Sequence, residues 1–170
     1  YSKSKDALPS NFAHRITDAW VQGQSPGELI VKEGGISFAV DVETGQKTGF
    51  FLDQRENREL IRRYSHGKEV FNGFCYTGGF SLYALEGGAT HVVSIDSSAT
   101  ALSLLEKTLP INQFAGTHES IKENVLTWLD ETEKQFDIVI VDPPAFAKSL
   151  SKRHNAVQAY KRLNMMAMAR

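Results

Sequence analysis

A glycine-rich turn is the first feature of this sequence whose residue types and spacing indicate chemistry. The run FNGFCYTGGFSLYA places Gly73, Gly78 and Gly79 where a strand-like segment gives way to a helix-like one. Glycines allow a backbone to approach a ligand closely and to adopt positive φ. The free N–H groups that open the next helix attract anionic and strongly polar ligand groups. We therefore predict a nucleotide-cradling turn, although a turn that only packs a helix on a strand stays an alternative.

This turn matches neither of two common nucleotide motifs. It lacks the G-x-G-x-x-G spacing of dinucleotide sites, and no G-K-[ST] follows it as in a P-loop. The acid that ends the next strand-like run, HVVSID, is Asp96. In nucleotide-binding α/β folds an acid at this place accepts hydrogen bonds from ribose hydroxyls. The alternative is an acid that only caps the next helix, whose predicted N-cap is Ser97 or Ser98.

Two further polar residues follow strand-like runs. Asn124 offers both a donor and an acceptor to an adenine edge, although an asparagine before a helix is commonly just a cap. Asp142 ends FDIVIVD and is followed by Pro143 and Pro144. The prolines stiffen the loop, so a carboxylate and fixed carbonyls can accept hydrogen bonds from the amino group of a base, and Phe146 can stack on that base. A plain strand-terminal acid with a proline turn is the alternative.

The elements that must position these residues alternate between strand and helix along the chain. After Gly67 this alternation predicts an α/β fold with a Rossmann-like parallel sheet and helices on both faces. FDIVIVD is apolar on both faces, which predicts a central strand. The helix QRENRELIRRYSHG is expected to bury Leu60, Ile61 and Tyr64. A β-hairpin around residues 32–35 precedes it, and we place the domain boundary between residues 53 and 54.

Composition sets the broad class of the protein. The chain has 170 residues, a net charge of −1 and one cysteine. One cysteine forms no internal disulfide, so we expect a cytoplasmic setting, and no apolar run is long enough for a membrane span. No acidic residue follows Asp142. The basic residues of that region predict contact with RNA, or alternatively a solvated helix face: Lys148, Lys152, Arg153, Lys161 and Arg162.

Five segments of the sequence together resemble one enzyme family. They are GQKTGFFLDQRENR, FCYTGGFSLYAL, SIDSSATAL, FDIVIVDPPAFAKS and YKRLN. They are similar to class I S-adenosylmethionine-dependent RNA methyltransferases, and in particular to the cytosine-5 family that acts on large-subunit ribosomal RNA. The resemblance runs from about residue 29 to the end. It implies a PUA domain, a small β-rich middle domain and a Rossmann-like catalytic domain, so we expect this chain to be a fragment that lacks the first domain and the C-terminal strands.

The resemblance also implies roles for individual residues. Asp142, Pro143 and Pro144 would position the base, and Asn124 stands where the family more often has an aspartate that contacts adenine. The segment of residues 47–55 would fold over the methionine end of the cofactor. The implied cofactor-binding residues are Lys47, Thr48, Phe51, Asp53, Gln54, Arg55, Phe74, Tyr76, Thr77, Gly78, Asp96, Asn124 and Asp142.

Elementary chemistry supports part of this assignment. Arg55 can pair with the cofactor carboxylate, and Phe50 or Phe51 can shield the sulfonium. An ordinary helix pair for Arg55 stays an alternative. Cytosine C5 becomes nucleophilic only after a thiolate adds to C6. Cys75 lies at the cofactor's end of the site, so we predict that it is not that thiolate. The family resemblance implies that the nucleophilic cysteine lies beyond the end of this chain. The histidines show no metal spacing, and no metal is expected.

The sequence therefore predicts an S-adenosylmethionine-dependent enzyme that methylates cytosine C5 in large-subunit ribosomal RNA. Three alternatives stay open: transfer to a base nitrogen of guanine or adenine, a nicotinamide-dependent oxidoreductase, and a non-catalytic RNA-binding module. We expect the isolated fragment to show little or no methyl-transfer activity.

Overall fold

The computed structural model describes residues 19–20, 22–25, 27, 29–43, 45, 49–147 and 153–170. The chain divides into two units, residues 1–55 and 56–170. The sequence-based boundary between residues 53 and 54 stays a prediction. Lys47, Thr48, Lys148 and Lys152, to which the sequence assigned ligand contacts, lie outside the described residues.

The first unit contains the predicted hairpin. Strands β1 (Leu29–Glu33) and β2 (Ile36–Val40) pair in antiparallel register. The turn between them uses Gly34 and Gly35 at φ values of 59° and 91°, which glycine adopts without steric penalty. A short 3-10 helix, Leu52–Gln54, follows. Among the described residues of this unit, the buried apolar side chains are Ile36, Phe38, Ala39, Val40 and Phe50.

The second unit alternates helices and strands. Its elements are α1 (Arg55–Tyr64, whose first residue still belongs to the first unit), β3 (Glu69–Gly73), α2 (Gly79–Glu86), β4 (His91–Asp96), α3 (Ala99–Thr108), a 3-10 turn (Leu109–Ile111), β5 (Thr117–Lys122), α4 (Val125–Glu131), β6 (Ile138–Val141) and α5 (Arg153–Ala167). In the described part of the chain the sheet has the order β5-β4-β3-β6, and each neighbouring pair is parallel. The α/β fold class is confirmed.

The period-two alternation of the strands divides the core into two layers. Phe71, Val93 and Ile95 point to one face, where they pack with Val125 of α4 and Leu163 of α5. On the opposite face, Val70 of β3 and Val92 of β4 pack with Ala84 and Leu85 of α2. Helices cover both faces, as the sequence predicted.

The register of the sheet brings the ends of several strands to one edge. Gly73 pairs with Ile95 of β4 on one side and with Val141 of β6 on the other. The next residue along each strand is therefore Phe74, Asp96 or Asp142. In parallel α/β sheets this carboxyl edge is where ligands bind.

The expectation that α1 buries Leu60 and Tyr64 was wrong. In α1, Leu60 is 46% exposed and Tyr64 is 69% exposed, whereas Arg58 is 2% exposed. The Arg58 guanidinium lies over the Tyr83 ring at 5.7 Å from its centroid, a cation–π contact that makes burial of the arginine tolerable. Among the described strands, β6 pairs with β3 on one side only, and its residues are half-buried. Its central place in a larger sheet stays a prediction.

A pair of glycine variants tests the packing of the turn before α2. Gly67 and Gly78 both have positive φ, 69° and 74°. A Cβ at Gly67 meets nothing within 4 Å, whereas a Cβ at Gly78 would lie 2.3 Å from Leu105 Cδ1. We expect Gly67→Ala to lower the free energy of unfolding by about 1–2 kcal/mol. Gly78→Ala should cost about 1–3 kcal/mol more, because it adds overpacking to the same backbone strain. Urea unfolding measures both variants, and equal losses would contradict the packing account.

Candidate functional site

The turn between β3 and α2 has an unusual backbone. Phe74 and Tyr76 have φ values of 59° and 50°, and Gly78 has 74°. The left-handed region costs a non-glycine residue roughly 1–2 kcal/mol, and such residues cluster at ligand-binding sites. Two hydrogen bonds brace the turn, from Cys75 N–H to the Ile95 carbonyl at 3.1 Å and from Gly78 N–H to the Cys75 carbonyl at 2.8 Å.

Packing alone is enough to explain why Gly73 and Gly78 are glycines. A Cβ at Gly73 would lie 2.7 Å from Val125 Cγ1, and a Cβ at Gly78 would lie 2.3 Å from Leu105 Cδ1, so both would clash. The glycines therefore fit the packing alternative as well as the ligand-binding one. The feature that points to a ligand is the left-handed backbone at Phe74 and Tyr76, because packing around a glycine does not require it.

The Asp96 carboxylate joins this turn to the next one. Its Oδ2 accepts a hydrogen bond from Tyr76 N–H at 2.8 Å, and its Oδ1 accepts one from Ser98 N–H at 2.8 Å. A carboxylate has about four acceptor positions, so both oxygens keep capacity for further donors. Asp96 is half-buried at the carboxyl edge. Ser98, and not Ser97, is the N-cap of α3.

Cys75 is held as a neutral thiol. It is 6% exposed, and its Sγ lies 3.7 Å from the Tyr76 carbonyl oxygen. Burial, with a smaller contribution from the Asp96 charge, raises the pKa of this thiol far above its ordinary value. Because the thiolate is the nucleophilic form, burial makes this cysteine a poor nucleophile.

Asn124 is engaged at the start of α4. Its Oδ1 accepts hydrogen bonds from Leu126 N–H at 2.9 Å and from Thr127 N–H at 3.2 Å. Both are N-cap contacts. The amide oxygen that the adenine prediction requires is therefore occupied, and the Nδ2 group remains the part of this exposed side chain suited to a base edge.

The proline loop lies at the same edge of the sheet. Asp142 is exposed directly after β6, and Pro143 is half-buried. Phe146 packs against the apolar layer under α4 and α5, and its ring centroid lies 4.6 Å from that of Tyr160. One aromatic surface is thereby formed by a loop residue and a residue of α5.

The basic residues of α5 face solvent. Arg153, Lys161 and Arg162 are exposed. Arg162 Nη2 lies 3.7 Å from Asp130 Oδ2 of α4, a surface pair that contributes little to stability. These cations remain available to a polyanion.

The predicted cofactor-covering residues belong to the first unit. Phe51 and Gln54 are half-buried, and Asp53 and Arg55 are exposed. Arg55 also lines an open, mostly apolar cleft of about 540 Å³ on that unit. Phe50 packs on Phe38 with ring centroids 4.8 Å apart, so its ring belongs to the core of the hairpin.

Sequence reasoning missed a polar group beneath the turn. Asn72, Ser81 and Ser94 are each at most 1% exposed, and they form a hydrogen-bonded series with His118. A signal was present, because Asn72 and Ser94 interrupt strand runs that are otherwise apolar. The buried Arg58 was also missed.

Among the described residues, no group of three or more His, Cys, Asp or Glu side chains could hold a metal ion. No described helix combines the length and the apolar character needed to cross a membrane.

Comparison with known proteins supports a methyl-transfer chemistry for this fold. A family model described as S-adenosylmethionine-dependent methyltransferase matches residues 8–167. A relative from Aeromonas hydrophila is named ribosomal RNA large subunit methyltransferase I. It is 40% identical to this chain over an alignment 173 residues long, which covers 98% of this chain and 44% of the relative. The chain thus spans less than half the length of that curated relative.

Solved structures give the same picture. A protein from Streptococcus mutans assigned as an S-adenosylmethionine-dependent methyltransferase superposes with a TM-score of 0.74 at 28% identity, covering 91% of this chain and 42% of that one. Another structure, assigned as a methyltransferase and complexed with S-adenosylhomocysteine (SAH), has a TM-score of 0.69 at 25% identity and covers 88% and 42%. Since the family model spans nearly all of the sequence, the chain belongs to the S-adenosylmethionine-dependent methyltransferase family.

Proposed function

We propose that the chain binds S-adenosylmethionine at the carboxyl edge of its sheet, and that the protein carrying it methylates cytosine C5 in large-subunit ribosomal RNA. The observation that carries the first part is the left-handed turn at Phe74 and Tyr76, fastened by Asp96 at that edge. The second part is supported by the relative named as a large-subunit ribosomal RNA methyltransferase and by the motifs GQKTGFFLDQR and DPPAFAKS.

The residues of the turn and of β4 fit this cofactor. S-adenosylmethionine is the cofactor of the family, and when bound it supplies a methyl group on a sulfonium. Asp96 has unused acceptor positions for two ribose hydroxyls. Phe74, Tyr76, Thr77 and Gly78 would line the methionine portion. The predicted contributions of Phe51, Asp53, Gln54 and Arg55 to the same ligand stay predictions.

The proline loop would orient the base. Asp142 is exposed and lies one residue beyond the row that contains Gly73 and Ile95. Its carboxylate and the carbonyls fixed by Pro143 and Pro144 would accept hydrogen bonds from an exocyclic amino group. Methyl transfer requires an in-line approach to the sulfonium methyl, so this positioning is the main contribution of the loop.

The RNA would be held beside that loop. Arg153, Lys161 and Arg162 are exposed on α5, and Phe146 with Tyr160 forms an aromatic surface next to them. Aromatic stacking combined with cations is the usual means of binding single-stranded RNA. Lys148 and Lys152 carry the same charge and would add to it.

Calorimetric titration tests the cofactor. We expect saturable binding of SAH and no binding of NAD, because the turn lacks the dinucleotide glycine spacing. Binding of NAD in place of SAH would overturn the assignment in favour of an oxidoreductase. Binding of neither ligand would reject the proposed site.

A pair of variants separates the proposed ligand-binding role of Asp96 from its structural role in the turn. We expect Asp96→Asn to weaken SAH binding by about 10- to 100-fold, because hydrogen bonds to a charged group contribute about 1.5–3 kcal/mol. Asp137→Asn is a matched control, since the Asp137 carboxylate also accepts a backbone N–H, that of Glu69 at 2.9 Å, but precedes β6 at the opposite edge. Equal weakening in both variants would show that Asp96 is only structural.

Loss of the hydrogen on cytosine C5 distinguishes methylation at C5 from methylation at a base nitrogen. Large-subunit ribosomal RNA transcribed with cytosine tritiated at C5 should release tritium to water when the intact protein acts on it with S-adenosylmethionine. Methyl transfer to a base nitrogen would incorporate the methyl group without releasing tritium. Cys75→Ser should release tritium at a rate within about twofold of the unsubstituted protein, because the buried thiol is not the nucleophile. Complete loss of release in a folded Cys75→Ser protein would contradict that assignment.

A further inference from the structure

A series of four hydrogen-bonded side chains, the Asn72–His118 series, crosses the sheet beneath the turn. Asn72 Nδ2 donates to Ser81 Oγ at 2.8 Å, the hydroxyls of Ser81 and Ser94 are 2.6 Å apart, and Ser94 Oγ lies 2.7 Å from His118 Nε2. The members come from β3, α2, β4 and β5, one from each element. Ser81 and Ser94 are each held by two neighbours of the series in a buried layer, and side chains held in this way restrain the elements that carry them.

The series reaches three segments of the proposed cofactor site. Asn72 is two residues before the left-handed Phe74, Ser94 is two residues before Asp96, and Ser81 lies in the first turn of α2. The hydrogen bonds therefore connect β3 just before the turn, α2 just after the turn, and β4, the strand that ends at the proposed ribose-binding Asp96.

The order of donors that satisfies every hydroxyl of the series determines which protonation of His118 fits it. Asn72 Nδ2 can only donate, so Ser81 accepts from it, whereas the contact between the Ser81 and Ser94 hydroxyls can run in either direction. If Ser94 donated to Ser81, the Ser81 proton would have no acceptor in the series, so we infer that Ser81 donates to Ser94. Ser94 in turn directs its own proton to Nε2 of His118. This order satisfies each hydroxyl with the contacts found among residues 49–147, and it requires Nε2 to be unprotonated. His118 is accordingly neutral, with its proton on Nδ1.

The surroundings of His118 favour the neutral form. Burial and the neighbouring His91 on β4 lower the pKa of His118 to about 4, against a smaller opposing effect of Glu119 on β5. Glu119 is itself paired with Lys134, at 3.3 Å. Helix α3 also packs on β5, but its charged residues Glu106 and Lys107 are exposed.

We propose that Asn72, Ser81, Ser94 and His118 are positioning residues that hold the Phe74–Gly78 turn in its ligand-binding conformation, and that this requires an unprotonated Nε2 on His118. The proposal rests on the proposed function. A protonated Nε2 would donate to Ser94 and leave one hydroxyl proton of the series without its acceptor, which costs most where water is excluded. The restraint on the turn would then be lost.

A hydroxyl deletion tests the series against a matched control. Ser120 pairs with Ser94 in the register of β4 and β5, and its buried Oγ has no hydrogen-bond partner in the described part of the chain. We expect Ser94→Ala to weaken SAH binding about five- to tenfold, and Ser120→Ala to leave it unchanged. Both are measured by calorimetry at pH 7.5 and at a temperature where circular dichroism shows the protein folded.

Hydrogen–deuterium exchange compares the same two variants without any ligand. Tyr76 N–H, which is bonded to Asp96, should exchange with deuterium about tenfold faster in Ser94→Ala than in Ser120→Ala. If SAH binds neither the variants nor the unsubstituted protein, the proposed function fails, and this exchange rate still decides the positioning role. A Ser94→Ala protein with a lower Tm but unchanged SAH affinity and unchanged Tyr76 exchange would overturn the proposal.

Substitutions of His118 test its protonation. His118→Gln keeps an acceptor for the Ser94 proton, so we expect near-normal SAH binding at pH 7.5, whereas His118→Leu should bind as weakly as Ser94→Ala. Because the pKa of His118 is lowered from 6.5 to about 4 by folding, the unfolded chain binds the extra proton between these values, and stability must fall as pH falls through that window. The part of this loss due to His118 should be absent in His118→Gln. Equal SAH binding by His118→Gln and His118→Leu would reject the role of the acceptor.

Discussion

The Asp96 carboxylate makes the contact on which the rest of the candidate site depends. Its two oxygens accept hydrogen bonds from Tyr76 N–H and Ser98 N–H, each at 2.8 Å. One side chain therefore fixes the backbone of both turns, the one after β3 and the one after β4. Two non-glycine residues of the first turn have left-handed backbones, a conformation that persists only where the surroundings over-determine it. Charge-assisted hydrogen bonds are stronger than neutral ones, which makes a carboxylate suited to offset this strain.

That contact is itself a consequence of strand register. Gly73 and Ile95 are paired across β3 and β4, so the residue after each is at the same height on the sheet. The period of two then places Asn72 and Ser94 on the face covered by α2. Residues 81–85 of this helix are all buried, because the sheet lies under it and the side chains of Arg58 and Arg62 lie over its Tyr83 ring. Small polar residues at the sheet side allow the buried residues 81–85 of this helix to be both closely packed and hydrogen-bonded.

The features that the sequence predicted well are those decided locally. Apolar runs bounded by glycines or acids predicted β3, β4 and β6, and Gly34 with Gly35 predicted the hairpin, because turn chemistry and periodicity are properties of neighbouring residues. Features that depend on distant partners were missed. The burial of Arg58 follows from Tyr83, 25 residues further along the chain. The lowered pKa of His118 follows from its burial and from His91 on another strand.

Under the proposed function, the protonated state of Cys75 keeps nucleophilic sulfur away from the cofactor. A thiolate is a strong nucleophile, and the sulfonium methyl of the cofactor is an electrophile, so a reactive thiolate in the cofactor turn would itself accept the methyl group. Burial and the adjacent Asp96 charge keep this thiol protonated. Burial is therefore the main protection against this competing reaction, and the carboxylate that holds the turn adds a smaller contribution. A thiolate that adds to cytosine C6 must be supplied from the base's side of the site, where Asp142 is exposed, because there it faces the ring and not the sulfonium.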